Sequence, residues 1–152
     1  MLSADNAHAV HPHIPQKTDA TNCVYMNEGI VVKSHAGQKY TSDAVSVAVF
    51  KDLCKKANVP VQFFANRSDE AGGSTLGNIA MAQVSMNSVD IGLPQLAMHS
   101  TYETAGIKDT YYMIQVMTEF FNCHISEVNS HSLKVDRKSA RLNSSHITIS
   151  YA

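Results

Sequence analysis

The sequence predicts an α/β fold, and three observations support this prediction. Short β-branched runs alternate with segments whose apolar residues recur every three or four positions, which is typical of an α/β sandwich. The 152 residues are 44% hydrophobic and 16% charged, so one domain of ordinary size can bury a core. No apolar run approaches the roughly 20 residues that a membrane-spanning helix requires.

The first 28 residues lack a sustained period and contain two closely spaced prolines, Pro12 and Pro15. We interpret them as an irregular loop with a functional role rather than as a packed element. Gly29 is then predicted to open a strand, in which Ile30, Val31 and Val32 form a β-branched run that ends near His35.

The rest of the chain is predicted to alternate helices with strands. Thr41 or Ser42 can cap a helix that runs through Lys56, and Asp109 can cap a final helix. The intervening predictions are a strand Val61–Ala65, a helix Ser74–Ser85 and a strand Ser88–Ile91 before the Gly92-Leu93-Pro94 break.

The helical and strand patterns weaken after about residue 121. Residues 137–152 are rich in serine and asparagine, with only a weak alternation at Ile147–Ile149. The segment Arg137 to His146 resembles translated adaptor or vector sequence. We therefore expect residues 1–121 to form the domain, and residues 122–152 to be a disordered or non-native tail.

Charge restricts the expected partners, and the cysteine content indicates the compartment. The net charge is −1 and the basic residues are scattered, which argues against nucleic acid or an anionic membrane as a partner. The three cysteines are widely spaced and odd in number, which favours free thiols in a reducing compartment. With no signal peptide recognisable at Met1–Val10, the sequence predicts a cytoplasmic protein.

The segment Ser3–Pro12 places Asp5, His8 and His11 within seven residues of one another. A carboxylate oxygen and imidazole nitrogens are ligands that zinc takes in catalytic sites. The same residues could be solvated polar groups of a loop or could bind a substrate, and the spacing alone leaves these alternatives open.

Two further segments carry candidate site residues. Asp90–Ser100 runs from a short strand into a loop that presents His99, which is either a ligand or an ordinary hydrogen-bonded histidine. Asn66–Gly77 is a glycine-rich loop that opens a helix, so its free N–H groups could hold an anion, or Ser74 or Thr75 could simply cap the helix.

Together, the three segments resemble the C-terminal part of the aspartyl aminopeptidase family. The resemblance rests on a Ser-Ala-Asp-x-Ala-His-Ala-x-His-Pro block, a Gly-Gly-Ser-Thr-x-Gly block and a Gln-Leu-Ala-Met-His-Ser block in the same order. It extends from Ser3 to Phe121. It implies a fragment, truncated at its N-terminus, of a three-layer αβα zinc-exopeptidase (phosphorylase/hydrolase-like) catalytic domain.

The resemblance also implies roles for individual residues. Asp5 and His99 would each give one ligand to a pair of zinc ions, and His8 and His11 would line the substrate site. Lys33 and Tyr40 would bind the acidic substrate and polarise its scissile carbonyl. Gly73 and Ser74 would form a wall of the active site. Without the resemblance, a solvated Lys33 and a core-packed Tyr40 are the simpler interpretations.

The chain departs from the family pattern at several positions. His13-Ile14 stands where Asn-Tyr is usual, Tyr102 replaces a common arginine, and Asn78 replaces a proline. The family also supplies a histidine, a bridging aspartate and a Glu-Glu pair from upstream of Asp5. No catalytic residue is therefore expected in this chain, and the general-base glutamate is expected upstream.

Three hypotheses follow for function. In the first, the parent protein is a zinc metallo-aminopeptidase that releases N-terminal Asp or Glu from peptides and assembles as a homo-oligomer, while this fragment alone is inactive. The second is a non-catalytic peptide-binding or assembly module that has lost its catalytic base. The third is a gene fragment that never exists as a folded protein.

Overall fold

The computed structural model describes residues 1–129, 132–137 and 147–150, in three helices, ten strands and a short 3-10 helix at Pro15–Lys17. The helices are α1 (Ala44–Lys56), α2 (Leu76–Gln83) and α3 (Ile107–Asn122). The strands are β1 (Leu2–Ala4), β2 (Ala7–His8), β3 (Ile30–Ser34), β4 (Val61–Ala65), β5 (Val89–Gly92), β6 (Pro94–Leu96), β7 (Thr104–Ala105), β8 (Cys123–Asn129), β9 (Ser132–Arg137) and β10 (Ile147–Ser150). No described helix has the length and apolar character needed to cross a membrane.

A mixed four-stranded sheet forms the centre of the fold, which confirms the predicted α/β class. Its strand order is β1-β5-β3-β4, in which β1 is parallel to β5, β5 is antiparallel to β3, and β3 is parallel to β4. The apolar side chains of Ile30 and Val32 in β3 are fully buried in one core cluster with Phe50 and Leu53 of α1. The first three residues of β3 are apolar because both faces of the strand are covered there.

The predicted helices are present, but their first turns differ from the prediction. Asp43 caps α1 through a 2.8 Å bond from the Ser46 N–H, whereas Thr41 bonds to Asp90 instead. Helix α2 begins at Leu76, after Thr75, so the predicted start at Ser74 is two residues early. Asp109 lies inside the first turn of α3 rather than at its cap.

The N-terminal segment is more regular than its sequence indicates. Strands β1 and β2 run parallel to β5 and β6, and the Asp5 and Ala7 N–H groups donate to Ile91 and Leu93 carbonyls at 2.9 Å. Strand β1 is three residues long and β2 is two, which is too short for a period-two pattern to be recognised. The expectation of an irregular segment through residue 28 is therefore wrong for residues 2–8.

The prediction of a disordered tail does not hold for the described strands β8, β9 and β10, whereas the non-native alternative for residues 122–152 stays a prediction. Strands β8 and β9 form an antiparallel sheet with β10, and Leu133 and Val135 join the main core cluster. The alternation Leu133-Lys134-Val135-Asp136 is the pattern of a half-buried strand, and it accounts for this packing. Most of the adaptor-like segment, residues 138–146, lies outside the described residues.

Candidate functional site

Asp5 lies in the two-residue gap between β1 and β2, beside the end of β5. Its backbone N–H is bonded to the Ile91 carbonyl, and its own carbonyl packs against Gly92. A Cβ atom on Gly92 would collide with the Asp5 carbonyl, so only glycine lets the two strands approach here. The Asp5 side chain is 49% exposed and its carboxylate faces the surface of this sheet edge.

The ammonium group of Lys33 is buried against Asp5. Its Nζ lies 3.1 Å from Asp5 Oδ2, 3.3 Å from the Asp5 carbonyl oxygen and 3.2 Å from the Asn6 carbonyl oxygen. The Lys33 side chain is 3% exposed. A buried ammonium is stable only when its donors are satisfied, and these three acceptors match its three N–H groups. The interpretation of Lys33 as a solvated residue at a strand end is therefore wrong.

The ring of Tyr40 covers the other side of the Lys33 ammonium. Lys33 Nζ lies 4.7 Å from the ring centroid, within the range of a cation–π contact. The Tyr40 hydroxyl donates to Asn66 Oδ1 at 3.3 Å. Burial of the phenol, followed by the charges of Asp5 and Asp90, raises the pKa of Tyr40. Tyr40 is thus half-buried beside a candidate site and at the edge of a small core cluster.

His8 and His99 come from separate strand ends and lie close enough to interact electrostatically. Loss of hydration, then the positive charge of Lys33 and the His99 imidazole, lowers the pKa of His8, while Asp5 opposes the shift. His99 is exposed, adopts a left-handed backbone conformation with φ of 67°, and its N–H donates to Glu103 Oε1 at 2.6 Å. The electrostatic environment of His8 thus includes His99, Lys33 and Asp5.

His11 lies further along the same loop. Its Nδ1 accepts a hydrogen bond from the His13 N–H at 3.2 Å, which leaves Nε2 as the ring nitrogen available to a ligand. His8 and His11 both line a cleft of about 310 Å³, whose apolar wall includes Phe64, Leu96 and Ile14. The cleft has the size and mixed polarity of a small-molecule or peptide-residue site.

The glycine-rich loop is anchored near Tyr40 but does not join the Asp5–Lys33 pair directly. The Gly72 carbonyl accepts a 3.0 Å bond from Lys39 Nζ, and Gly72 packs against Asn66 and His35. Gly73 and Ser74 are exposed, and in the described part of the chain no hydrogen bond or ion pair links them to Asp5, Lys33 or the histidines. Their predicted role as a wall stays a prediction.

The donor types at this site suit zinc, but their number does not complete a zinc site. Asp5 and His99 offer a carboxylate oxygen and an imidazole, and a catalytic zinc takes three protein ligands with one open position. Among residues 1–129, 132–137 and 147–150, no group of three or more His, Cys, Asp or Glu side chains could hold a metal ion. The described residues therefore supply part of a donor set.

Sequence reasoning missed two polar residues, Asn6 and Asp90, that support the site. The amide of Asn6 donates to Gln95, and its oxygen accepts from the Leu93 N–H at 3.2 Å, which ties the Asp5 loop to β6. Asp90 is fully buried and bonded to Thr41, the residue after Tyr40. One signal could have found Asp90, since a lone carboxylate in a run of strand residues is costly unless it is paired.

Comparison with known sequences identifies one family by two routes. Residues 1–121 match the family described as aminopeptidase I zinc metalloprotease (M18). "Probable M18 family aminopeptidase 2" of Clostridium novyi (strain NT) is 53% identical over 122 residues, which are 80% of this chain and 28% of that protein. The chain thus spans between a quarter and a third of the length of the curated relatives that it matches.

Solved structures show the same relationship. The structure of the Ape4 and Nbr1 complex matches with a TM-score of 0.77 at 26% identity, covering 99% of this chain and 35% of that chain. The mApe1 dodecamer of S. cerevisiae matches with a TM-score of 0.69 at 27% identity, covering 79% of this chain and 26% of that chain. The family match over residues 1–121 and the 53% identity place this chain in the M18 zinc metalloprotease family, as a fragment of a member.

Proposed function

We propose that this chain is the C-terminal part of the catalytic domain of an aspartyl aminopeptidase, which releases N-terminal Asp or Glu from peptides. The observation that carries the proposal is the buried Lys33 ammonium, held 3.1 Å from Asp5 and covered by Tyr40. A fixed positive charge beside a candidate metal ligand would select a substrate whose first side chain is a carboxylate.

Lys33 can bind a substrate carboxylate and still keep its ion pair with Asp5. Two of its three acceptors are the neutral carbonyls of Asp5 and Asn6. A substrate carboxylate accepts a stronger, charge-assisted bond than a carbonyl, so it could replace one of them. His8 favours its neutral form because its pKa is lowered, which would leave a ring nitrogen able to accept a proton or a hydrogen bond from the substrate.

In this proposal, Asp5 and His99 each give one ligand to a pair of zinc ions, and His11 contacts the substrate from the cleft. Bound zinc would supply Lewis-acid polarisation of the peptide carbonyl and acidify a water molecule. The remaining ligands and the general-base glutamate would come from the part of the relatives that this chain does not span. The chain by itself is therefore proposed to be inactive.

The assembly and location of the parent protein are also proposals. The S. cerevisiae mApe1 relative is a dodecamer, which supports a homo-oligomeric parent. Its substrates would be peptides with an acidic N-terminal residue, and its compartment the cytoplasm. The thiols of Cys23, which is exposed, and Cys54, which is buried, form no disulfide, and this supports a reducing compartment.

The test compares the purified chain with the same chain extended upstream by the segment that a relative carries before the match. Zinc content is measured by mass spectrometry, and hydrolysis is measured on aspartyl- and alanyl-p-nitroanilide. We expect zinc and aspartyl hydrolysis in the extended protein only. Turnover by the short chain would overturn the proposal that its catalytic base lies elsewhere, and an alanyl preference in the extended protein would overturn the acidic specificity.

Peptide binding without turnover by the extended protein would instead support the alternative, a non-catalytic binding or assembly module. Isothermal titration of an Asp-containing dipeptide measures this binding directly. Zinc-dependent hydrolysis in the extended protein would exclude that alternative.

A further inference from the structure

Asp90 of β5 holds the two residues that follow Tyr40. Its Oδ2 accepts from the Thr41 N–H at 2.6 Å and lies 2.9 Å from the Thr41 hydroxyl. Its backbone N–H donates to the Ser42 hydroxyl at 3.0 Å. Three bonds thus tie Thr41 and Ser42 to one strand residue, and Tyr40 is the next residue toward the N-terminus.

The surroundings of Asp90 leave little room for this arrangement to change. Asp90 is 0% exposed, and Gly77 of α2 packs so closely that a Cβ there would lie 2.5 Å from the Thr41 hydroxyl oxygen and 3.0 Å from Asp90 Oδ2. The Thr41 hydroxyl is also 3.0 Å from the Ser88 hydroxyl. A buried carboxylate with charge-assisted bonds to a backbone N–H fixes that backbone more firmly than a neutral contact would.

Burying Asp90 in this way is costly, which indicates a role beyond packing. Its second oxygen, Oδ1, is buried and has no hydrogen-bond partner among the described residues. An apolar residue in β5 would avoid this desolvation cost. The two bonds from Thr41 are what the carboxylate gains, and Thr41 directly follows Tyr40 in the chain.

Strand β5 therefore contacts the two segments that carry Asp5 and Tyr40, the neighbours of Lys33. Through Gly92 it admits the Asp5 backbone, and through Asp90 it fixes the loop that carries Tyr40. The Lys33 ammonium lies between these groups, 3.1 Å from Asp5 Oδ2 and 4.7 Å from the Tyr40 ring centroid.

We propose that Asp90 is a positioning residue that holds the Tyr40 ring over the Lys33 ammonium, and so fixes the direction in which Lys33 presents its charge. The consequence for substrate selection rests on the proposed function, whereas the positioning itself does not. The Asp90 carboxylate is bonded to none of the candidate ligands and does not line the cleft, and it acts through Thr41.

The test uses the short chain with ¹³C-labelled lysine and no metal or substrate. The Tyr40 ring should shift the Lys33 Cε protons upfield, a signal that Lys33→Arg assigns by its disappearance. Tyr40→Leu gives the value without the ring. In Asp90→Ala, we expect the shift of the Lys33 Cε protons to move most of the way from the wild-type value to the Tyr40→Leu value. In Asp90→Asn it should stay near the wild-type value, because the amide oxygen still accepts from Thr41.

Asp109→Ala is the matched control. Asp109 is likewise 0% exposed and accepts from backbone, here the N–H groups of Asn27 and Gly29, but it does not contact the Tyr40 loop. We expect Asp109→Ala to leave the Lys33 signal in place. Retention of the full shift in Asp90→Ala, or an equal loss in Asp109→Ala, would overturn the proposal.

If Asp90→Ala does not fold, Asp90→Leu fills the same space without an acceptor for the Thr41 N–H and hydroxyl, and it decides by the same signal. Loss of the upfield shift supports positioning, and retention overturns it. Because this measurement needs no hydrolysis, it can fail while the aminopeptidase assignment stands. It can also succeed while that assignment fails.

Discussion

Gly92 lies against the carbonyl group of Asp5, so closely that no other residue fits at that position. The contact joins the end of β5 to the gap between β1 and β2, where the Asp5 carboxylate emerges. A glycine in a sheet that allows such an approach often marks a place where backbone or ligand must come close. The position of Asp5 therefore depends on the absence of a side chain at Gly92 of β5.

Substitution of Gly92 by alanine should displace Asp5 and destabilise the chain. Overpacking in a closed site costs about 1–3 kcal/mol of unfolding free energy. Urea unfolding measures this loss. Gly73→Ala is the matched control, since a Cβ on Gly73 would meet nothing within 4 Å, and exposed substitutions usually stay within about 0.5 kcal/mol. Equal stability of the two variants would contradict the close approach.

Lys33→Met should reduce acidic specificity in the upstream-extended protein. The variant keeps the length of the side chain but removes the ammonium group that Asp5 and Tyr40 surround. Loss of a charged hydrogen bond of about 1.5–3 kcal/mol corresponds to roughly a 10- to 150-fold fall in kcat/KM for an aspartyl substrate. The alanyl substrate should lose far less. Lys51→Met, at an exposed lysine of α1, should leave both rates unchanged.

The titration of His8 should respond in opposite directions to its two charged neighbours. Lys33 lowers the pKa of His8 and Asp5 raises it. In NMR titrations, Lys33→Met should therefore raise the pKa of His8, and Asp5→Asn should lower it further. Shifts of the same sign in both variants would show that His8 does not sense these charges separately.

The lowered pKa of His8 also has a consequence for stability. A histidine with a depressed folded-state pKa binds its proton more readily in the unfolded chain, so its contribution is present above its ordinary value of 6.5 and is lost as the pH falls through the folded value. Unfolding free energies of the wild type and His8→Gln, measured between about pH 5 and pH 8, should converge toward the acid end of that range. Parallel curves would contradict this.

The sequence predicted most of the central fold because its periods are long enough to recognise. The strands β3 and β4 and helix α1 coincide with predicted segments, since their apolar residues recur over five residues or more. The two- and three-residue strands β1, β2 and β7 carry no such pattern. Their pairing depends on neighbours that are distant in sequence, such as Asp5 and Ile91.

The candidate site was predictable by residue type but not by geometry. The resemblance indicated Asp5, His8, Lys33 and Tyr40, and in the structure Lys33 contacts Asp5 and Tyr40. The resemblance could not indicate that the Lys33 ammonium contacts Asp5 itself, because that contact depends on the order of the strands in the sheet. Asp90 was missed for the same reason, since its partners Thr41 and Ser42 lie 49 and 48 residues earlier in the chain.

The buried thiol of Cys54 should react only when the chain unfolds. Burial raises the pKa of Cys54 to about 12, and the thiolate is the reactive form. Ellman's reagent at neutral pH should therefore label the exposed Cys23 quickly and leave Cys54 unlabelled until denaturant is added. Cys23→Ser identifies the fast thiol. Rapid labelling of Cys54 in the native chain would contradict the buried core around α1.

Substitution of Val135 tests whether strand β9 belongs to the folded unit. Its side chain is 1% exposed and lies in the same cluster as Ile30, Phe50 and Leu53, although the family match ends at residue 121. Removing buried methyl groups costs about 0.8 kcal/mol for each carbon, plus a cavity term, so Val135→Ala should lower the unfolding free energy by roughly 1.5–3 kcal/mol. Ser126→Ala, on the partner strand and only partly buried, should change it little. If Val135→Ala were as stable as the wild type, β9 would contribute nothing to the core, and the original expectation of a tail outside the fold would hold from residue 122 onward. A clear loss would mean instead that residues beyond the family match have taken over part of the covering that the sheet and α1 require.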